Sequence, residues 1–251
     1  MQRFVINRHC IDHDNVILQG EVVHQIRNVL RLHRGDNIIV LDNEGFEYEV
    51  ILGKIGGNQI KGTICNTKRI AEPKVRITIY QALLKSDRFE FVLQKCTEIG
   101  VSAFVPIVCE RCVVKKISAN KLVRWQKIIK EAAEQSGRSI LPVLKNAVSF
   151  NDACHSIEGL SLIAGITSES LRLSEVLRLN TPKHDSITLN IFIGPEGGFT
   201  EDELESAQRC GIQRITLGPH VLRAETAGIV AATAILYEYG ELDRPSPDIK
   251  L

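Results

Sequence analysis

From Val75 onward the chain alternates short β-branched runs with segments of helical period, and this alternation restricts the fold more than any other property of the sequence. The runs are VRITIYQAL from Val75, VSAFVPIV from Val101, Leu160 to Ala164, Ile187 to Ile193 and Arg214 to Leu217. Between them, Ser86 to Ile99 predicts a helix with Phe89, Val92, Leu93, Cys96 and Ile99 on one stripe, stopped by Gly100. Ala119 to Ser136 predicts another, with Leu122, Trp125, Ile128, Ile129, Ala132 and Ala133 inward and Gly137 at its end. Near-continuous apolar strands separated by helices imply a mostly parallel sheet covered on both faces. A last helix, Glu225 to Tyr239, carries Ala224, Ala227, Gly228, Ala231 and Ala234; small residues at this spacing permit close helix approach, inside the fold or across a dimer interface.

Residues 1–72 follow a different rule. Arg3 to Ile6, Ile38 to Leu41, Phe46 to Leu52 and Gln59 to Ile64 read as strands, with Asp42-Asn43-Glu44-Gly45 and Gly56-Gly57-Asn58 as hairpin turns, which predicts a small β-barrel. Glu21 to Leu32 predicts a helix with Val22, Ile26, Val29 and Leu30 on its inner face and Arg27, Arg31 and Arg34 elsewhere. The pattern changes at Ile70-Ala71-Glu72-Pro73, where proline ends the barrel, so the expected domains are 1–72 and 73–251.

Two loops stand at the carboxyl ends of predicted strands, where open α/β sheets bind ligands: GPEGGFT, from Gly194 to Thr200, and LGPHVLRAETA, from Leu217 to Ala227. Gly197 and Gly198 let a ligand approach the main chain with no Cβ in the way. Thr200 and Glu203 have the spacing of a capping box, and Glu201 and Asp202 add negative charge to the same first turn. A helix end neutralised by its own carboxylates disfavours a phosphate there, so the ligand is read as an adenosyl group without phosphates.

The chain has a formal net charge of +1, but residues 85–138 carry 11 Lys+Arg against 6 Asp+Glu and residues 139–251 carry 9 against 15. A basic middle and an acidic end suit an anionic partner on one face. Seven cysteines scattered from Cys10 to Cys210 fit a reducing compartment. Cys109 and Cys112 form one CxxC without a second ligand pair nearby, and are read as cysteines flanking a strand end rather than a metal or redox site. With no apolar run of membrane-spanning length and no signal-like start, the protein is read as cytoplasmic.

Five ordered segments now carry a resemblance: HQIRNVLRLHRGD, KSDRFEFVLQKCTEIGV, EAAEQSGR, IGPEGGFTEDE and LGPHVLRAETA. Together they resemble the RsmE family of small-subunit ribosomal RNA uridine-N3 methyltransferases, of the SPOUT class, over nearly the whole chain. The resemblance implies a PUA-like RNA-binding β-barrel, a trefoil-knotted SPOUT α/β domain, S-adenosyl-L-methionine as methyl donor and a homodimer. Where the family usually has arginine before VLR, this chain has His220, read as an exposed loop residue.

The resemblance also distributes roles. The cofactor is expected on Gly194, Glu196, Gly197, Gly198, Leu217, Gly218, Leu222 and Ala227. Uridine N3 bears a proton at neutral pH, so negative charge develops as transfer begins; Arg223 is the candidate for stabilising it, with Glu225 and Thr226 orienting the arginine or the base. RNA phosphates are expected at Arg3, Arg8, Arg27 and Arg31 of the barrel and at Lys85, Arg88, Lys95, Arg111 and Arg138 of the second domain. No metal is expected. Competing readings are a SPOUT enzyme acting on ribose 2′-O or guanine, and a non-catalytic RNA-binding protein.

Overall fold

Polarity alternates along the first seventy residues, and in the computed structural model burial alternates with it. Six strands result: β1 (Arg3–Val5), β2 (Ile11–Asp12), β3 (Asn15–Gln19), β4 (Asn37–Leu41), β5 (Phe46–Ile55) and β6 (Gln59–Arg69). They form one sheet in the order β1-β4-β5-β6-β3-β2, with β1 parallel to β4 and the other pairs antiparallel. Val16, Leu18, Ile38, Val40, Val50, Leu52 and Ile60 fill its core. Register shifts at Glu49/Val50 and Leu52/Ile55 bend β5, and a Cβ on Gly62 of β6 would collide with Val50. β2 and β3 are additional to the predicted strands; they are short, joined through His13 in a left-handed conformation (φ 46°), and only Val16 and Leu18 of β3 are fully buried.

The predicted helix of this unit begins as α1 (Glu21–His24) but continues as a π-turn over Gln25–Val29, with Leu30 N–H donating to the Gln25 carbonyl at 2.9 Å. The wider turn rotates the residues at its end, so Ile26 is fully buried whereas Val29, expected on the inner face, is 65% exposed. The unit comprises Met1–Glu72 and Lys130–Leu141, and the other is Pro73–Ile129 with Pro142–Leu251. The structure describes residues 1–70, 73–165, 170–180 and 186–243, so Ala71 and Glu72 of the expected linker lie outside the described residues. Within the first unit, Glu134 accepts the Val5 N–H at 2.8 Å and Asn43 accepts the Leu141 N–H at 2.7 Å.

The second unit holds β7 (Val75–Ala82), α2 (Arg88–Ile99), β8 (Ala103–Val108), the part of α3 (Ala119–Ser136) up to Ile129, β9 (Val143–Leu144), β10 (Val148–Ser149), α4 (Phe150–His155), β11 (Leu160–Ala164), β12 (Leu171–Arg172), α5 (Leu173–Leu179), β13 (Ile187–Ile193), α6 (Glu201–Arg209), β14 (Gln213–Thr216) and α7 (Ala224–Glu238). Its sheet is parallel throughout, in the order β10-β8-β7-β13-β11-β14-β12, with β9 beside β8. Both faces of its centre are covered. Tyr80 of β7 sits opposite Phe192 of β13 and stacks on it at 4.4 Å, and Phe150 of α4 meets the edge of that ring. One residue along, on the other face, Ile79, Gln81 and Ile193 surround Gly228 of α7.

Helix α2 buries the predicted stripe Phe89, Val92, Leu93 and Cys96, stacks Phe89 on Trp125 of α3 at 4.2 Å, and ends at Gly100 in the left-handed conformation (φ 117°). Of the two uses open to the small residues of α7, the structure realises the internal one: Ala227, Gly228, Ala231 and Ala232 are buried against α2, β7 and β13. Although β13 and β14 come after β12 in the chain, β13 lies between β7 and β11 and β14 between β11 and β12. Because the sheet is parallel, the segments after β7, β8, β13 and β14 all leave from one edge.

Candidate active site

The segment leaving β13 is pinned by its own sequence. Phe199 folds back into the core, 5.3 Å from the Phe150 ring, and lies so close over Gly194 that a Cβ there would stand 3.2 Å from the phenyl ring. Burying a phenylalanine contributes roughly 1.5–3 kcal/mol, enough to hold a seven-residue loop by one end. Gly198 closes a turn by donating to the Pro195 carbonyl at 2.9 Å with φ 69°, and no atom lies within 4 Å of where its Cβ would stand. Gly218, after β14, repeats this with φ 120° and open space. Both loops thus present bare main chain to a ligand.

At the N-terminus of α6 the predicted capping box is formed: Thr200 accepts from Glu203 N–H at 3.3 Å, and Glu203 Oε2 accepts from Thr200 N–H at 2.9 Å. The other oxygen, Oε1, accepts the Glu110 N–H at 2.9 Å. The helix end is occupied by a carboxylate with both oxygens bonded, which disfavours a phosphate there.

Two guanidinium groups expected at RNA phosphates, those of Arg88 and Arg111, make contacts to the loop after β13. Arg111 Nη1 donates to the Gly197 carbonyl at 2.9 Å and to the Phe199 carbonyl at 3.2 Å. Arg88 Nη1 donates to Glu196 at 3.2 Å, while its Nε lies 3.8 Å from Glu225 in the first turn of α7. The Lys85 N–H donates to Glu196 as well, at 3.3 Å. One guanidinium therefore joins the loop after β13 to the helix that succeeds the loop after β14.

Of the candidate chemical groups, Arg223 is the N-cap of α7, exposed, with a side chain that makes no hydrogen bond or ion pair among the described residues. Its carbonyl accepts from Thr226 and Ala227 N–H, both at 2.9 Å, so its backbone is fixed while its guanidinium is available. Glu225 is largely buried, and its Oε2 is shielded from solvent without a hydrogen-bond partner. Leu222 and Thr226 are half-buried, Ala227 is buried and His220 is exposed, as expected of it. Leu217 and Gly218 line a cavity of about 500 Å³ together with Leu173, Ser174, Leu177 and Ala234. That size suits a small organic ligand of roughly 300–1,000 Å³. The cavity is not lined by Gly194 to Gly198.

The remaining basic candidates divide by exposure. Arg27 and Arg31 are exposed on the first unit, Arg27 steadied by the Gly57 carbonyl at 3.1 Å. Arg8 lies 3.9 Å from buried Asp42 and over the Tyr48 ring. Arg3 lies against Gly137 and its Nε is shielded from solvent, because β1 begins where α3 ends. Lys95 is paired with Glu98 at 2.8 Å, and Arg138 is half-buried just beyond α3.

Two parts of the site are not apparent from the sequence. Leu173 and Ser174 come after a two-residue strand too short to register. Gln81 is fully buried at the end of β7, its Oε1 unpartnered and facing Gly228. A glutamine inside VRITIYQAL is the available signal. Among the described residues no group of three or more His, Cys, Asp or Glu could hold a metal ion, and no helix is long and apolar enough to cross a membrane.

Known proteins are similar to this chain in sequence and fold. Residues 71–236 match the family described as RNA methyltransferase domain, and residues 18–65 match the RNA methyltransferase PUA domain. A ribosomal RNA small subunit methyltransferase E of Bacillus subtilis is 35% identical over 230 residues, 88% of this chain and 89% of that protein. A crystal structure of a ribosomal RNA small subunit methyltransferase E from Neisseria gonorrhoeae, bound to S-adenosyl methionine, superposes with a TM-score of 0.84 at 32% identity, covering 94% of this chain and 97% of that one. A putative methyltransferase from Legionella pneumophila in complex with the same cofactor gives 0.84 at 28% identity, covering 94% and 96%.

Proposed function

Because the chain belongs to the RNA methyltransferase family in which relatives are named ribosomal RNA small subunit methyltransferase E, we propose that it transfers a methyl group from S-adenosylmethionine to N3 of a uridine in small-subunit ribosomal RNA. The observation that carries this reading is the pair of bare-backbone glycine loops, the first held by Arg111 and joined through Arg88 to the first turn of α7, with an unpaired Arg223 at the N-cap of that helix. Open space at Gly198 and Gly218 and a capped α6 fit a cofactor held by main-chain groups without phosphates. Gly194, Glu196, Gly197, Gly198, Leu217, Gly218, Leu222 and Ala227 are proposed to hold it. When bound, S-adenosylmethionine supplies an electrophilic methyl group.

The chain's own residues then have two tasks. One is to bring the uridine nitrogen into line and keep water out. The other is to accommodate the negative charge that appears as the N3 proton leaves. Arg223, whose fixed backbone carries a guanidinium without a partner, is proposed to stabilise that charge at the base oxygens. Arg88 holds Glu225 in place from behind, and Thr226 shares its helical turn.

Exposed Arg27 and Arg31 are proposed to meet RNA phosphates, which fix position without reading sequence, so the target base is recognised by being drawn into the pocket. The insertion of β13 and β14 between strands laid down earlier supports the trefoil threading. A homodimer is proposed through the exposed apolar Leu179, Tyr237 and Leu242, near the close approach where Tyr239 Oη donates to the Leu177 carbonyl. The function is tested by mass spectrometry of ribosomal RNA nucleosides from a strain lacking the protein, with and without added enzyme. Loss and recovery of one N3-methyluridine is expected; loss of a ribose or guanine methyl group, or no change, would overturn the assignment.

A further inference from the structure

We infer that Cys109 and Cys112 are a modification site, an oxidisable dithiol whose closure to a disulfide loosens the loop leaving β13. The inference rests on reading Gly194–Thr200 as the cofactor loop.

The two cysteines bracket a tight turn at the end of β8, closed by the Cys112 N–H donating to the Cys109 carbonyl at 3.1 Å. Residues one and four of such a turn have Cα atoms within about 7 Å, overlapping the roughly 4.4–6.8 Å that a disulfide requires. The sulfurs face the same interior: the Cys109 N–H donates to Cys112 Sγ at 3.3 Å, and both residues are buried beneath exposed Glu110 and Arg111. The Cys109 thiol donates to the Cys112 sulfur, which lowers the Cys112 pKa to about 7 and, together with burial, raises that of Cys109. Cys112 is thereby the sulfur of the pair that ionises first, with the Cys109 thiol beside it to close the bond. By contrast, burial pushes the Cys154 thiol up to about 12.

What the turn carries gives the pair its consequence. Both residues between the cysteines bind the loop region, Glu110 through its N–H to Glu203 and Arg111 through its guanidinium to Gly197 and Phe199. With hydrogen peroxide as oxidant, the Cys112 thiolate attacks one oxygen, the O–O bond breaks, and a sulfenic acid forms as hydroxide leaves and takes up a proton to become water. The Cys109 sulfur then displaces the sulfenic oxygen as a second water. The two thiols lose two electrons and two protons to peroxide, and one S–S bond results. Drawing the sulfurs to bonding distance resets the torsions that aim the Glu110 N–H and the Arg111 side chain.

The full-length protein is titrated with hydrogen peroxide, alkylated and mapped by mass spectrometry; S-adenosylhomocysteine affinity is measured calorimetrically before oxidation, after it, and after dithiothreitol. The expected result is a Cys109–Cys112 cross-link, with affinity weaker by about tenfold and restored by reduction, and no change on oxidation in Cys109→Ser or Cys112→Ser. Amide exchange across Gly197–Phe199 should rise on oxidation. Exposed Cys65 oxidising while no Cys109–Cys112 bond forms would overturn the site. A bond that forms while affinity and amide exchange stay constant would overturn the coupling. If the reduced protein binds no S-adenosylhomocysteine, the cofactor reading fails, and the dithiol stands or falls on the cross-link and the amide exchange alone.

Discussion

Arg111→Ala removes the two hydrogen bonds that hold the carbonyls of Gly197 and Phe199. Each bond from a partly exposed guanidinium is worth about 1 kcal/mol net, so the pair contributes about 2 kcal/mol. Phe199 remains buried, and the fold stays intact with its loop anchored at one end. The loss is therefore taken as local opening, and the ligand must reorder the loop on binding. A free energy of about 2 kcal/mol corresponds to a roughly thirtyfold weaker cofactor complex. The melting temperature should fall by no more than about 4–8 °C even if the whole amount is lost from global stability. Titration calorimetry with S-adenosylhomocysteine on wild type, Arg111→Ala and Arg111→Lys measures this directly. Lysine, a single point donor, should recover part of the affinity because it cannot reproduce the planar fork. An affinity change below about threefold, with a flatter salt dependence of RNA binding, would return Arg111 to the phosphate contacts and refute the clamp.

S-adenosylhomocysteine should raise the melting temperature by mass action, whereas ATP and NAD should not; equal stabilisation by NAD would remove the phosphate-free reading. Arg223→Ala should lower the single-turnover rate on the order of a hundredfold with little change in cofactor affinity, while Arg27→Ala should weaken RNA binding and flatten its salt dependence at a nearly unchanged saturated rate. The reverse pattern would show the two roles interchanged. Burial holds the Glu134 carboxyl above its ordinary range. Above about pH 4.3 the unfolded chain has released a proton that the folded state still keeps, so this contribution is full at lower pH and is lost as pH rises through the folded value. Glu134→Gln should remove that decline in urea midpoints; an unchanged slope would contradict it. Tyr237→Glu should dissociate the proposed dimer in sedimentation, and an undisturbed dimer would place the interface elsewhere.

The second unit is legible in the sequence because its signals are redundant. The stripe of α2, its glycine stop, the capping box of α6 and the strand β13 each combine a period with a terminator, and each appears where the sequence puts it. Val29 departs from its expected face because a π-turn is a one-residue change that hydrophobic period does not encode. The duties of Arg88 and Arg111 are hidden for another reason: a basic residue on a predicted surface is indistinguishable from a phosphate contact until the carboxylate or carbonyl opposite it, 86 to 108 positions along the chain, is located. The π-turn is local and the two clamps are long-range, and neither leaves a mark on composition.

The position of β13 governs when the centre of the sheet can close. Its seven pairings to β7 join residues 187–193 to 75–81, so the centre of the sheet closes over a span of more than a hundred residues. Such non-local pairing is slow to form. On the ribosome, β7 waits with one edge unpaired through the synthesis of five further strands, and the loops on either side of Arg88 meet only after α7 has emerged. A chain stalled or cleaved before Glu225 can complete its first unit yet has no cross-tied site. A chain that stops before Ile187 leaves one edge of β7 unpaired, and such an edge invites non-native pairing.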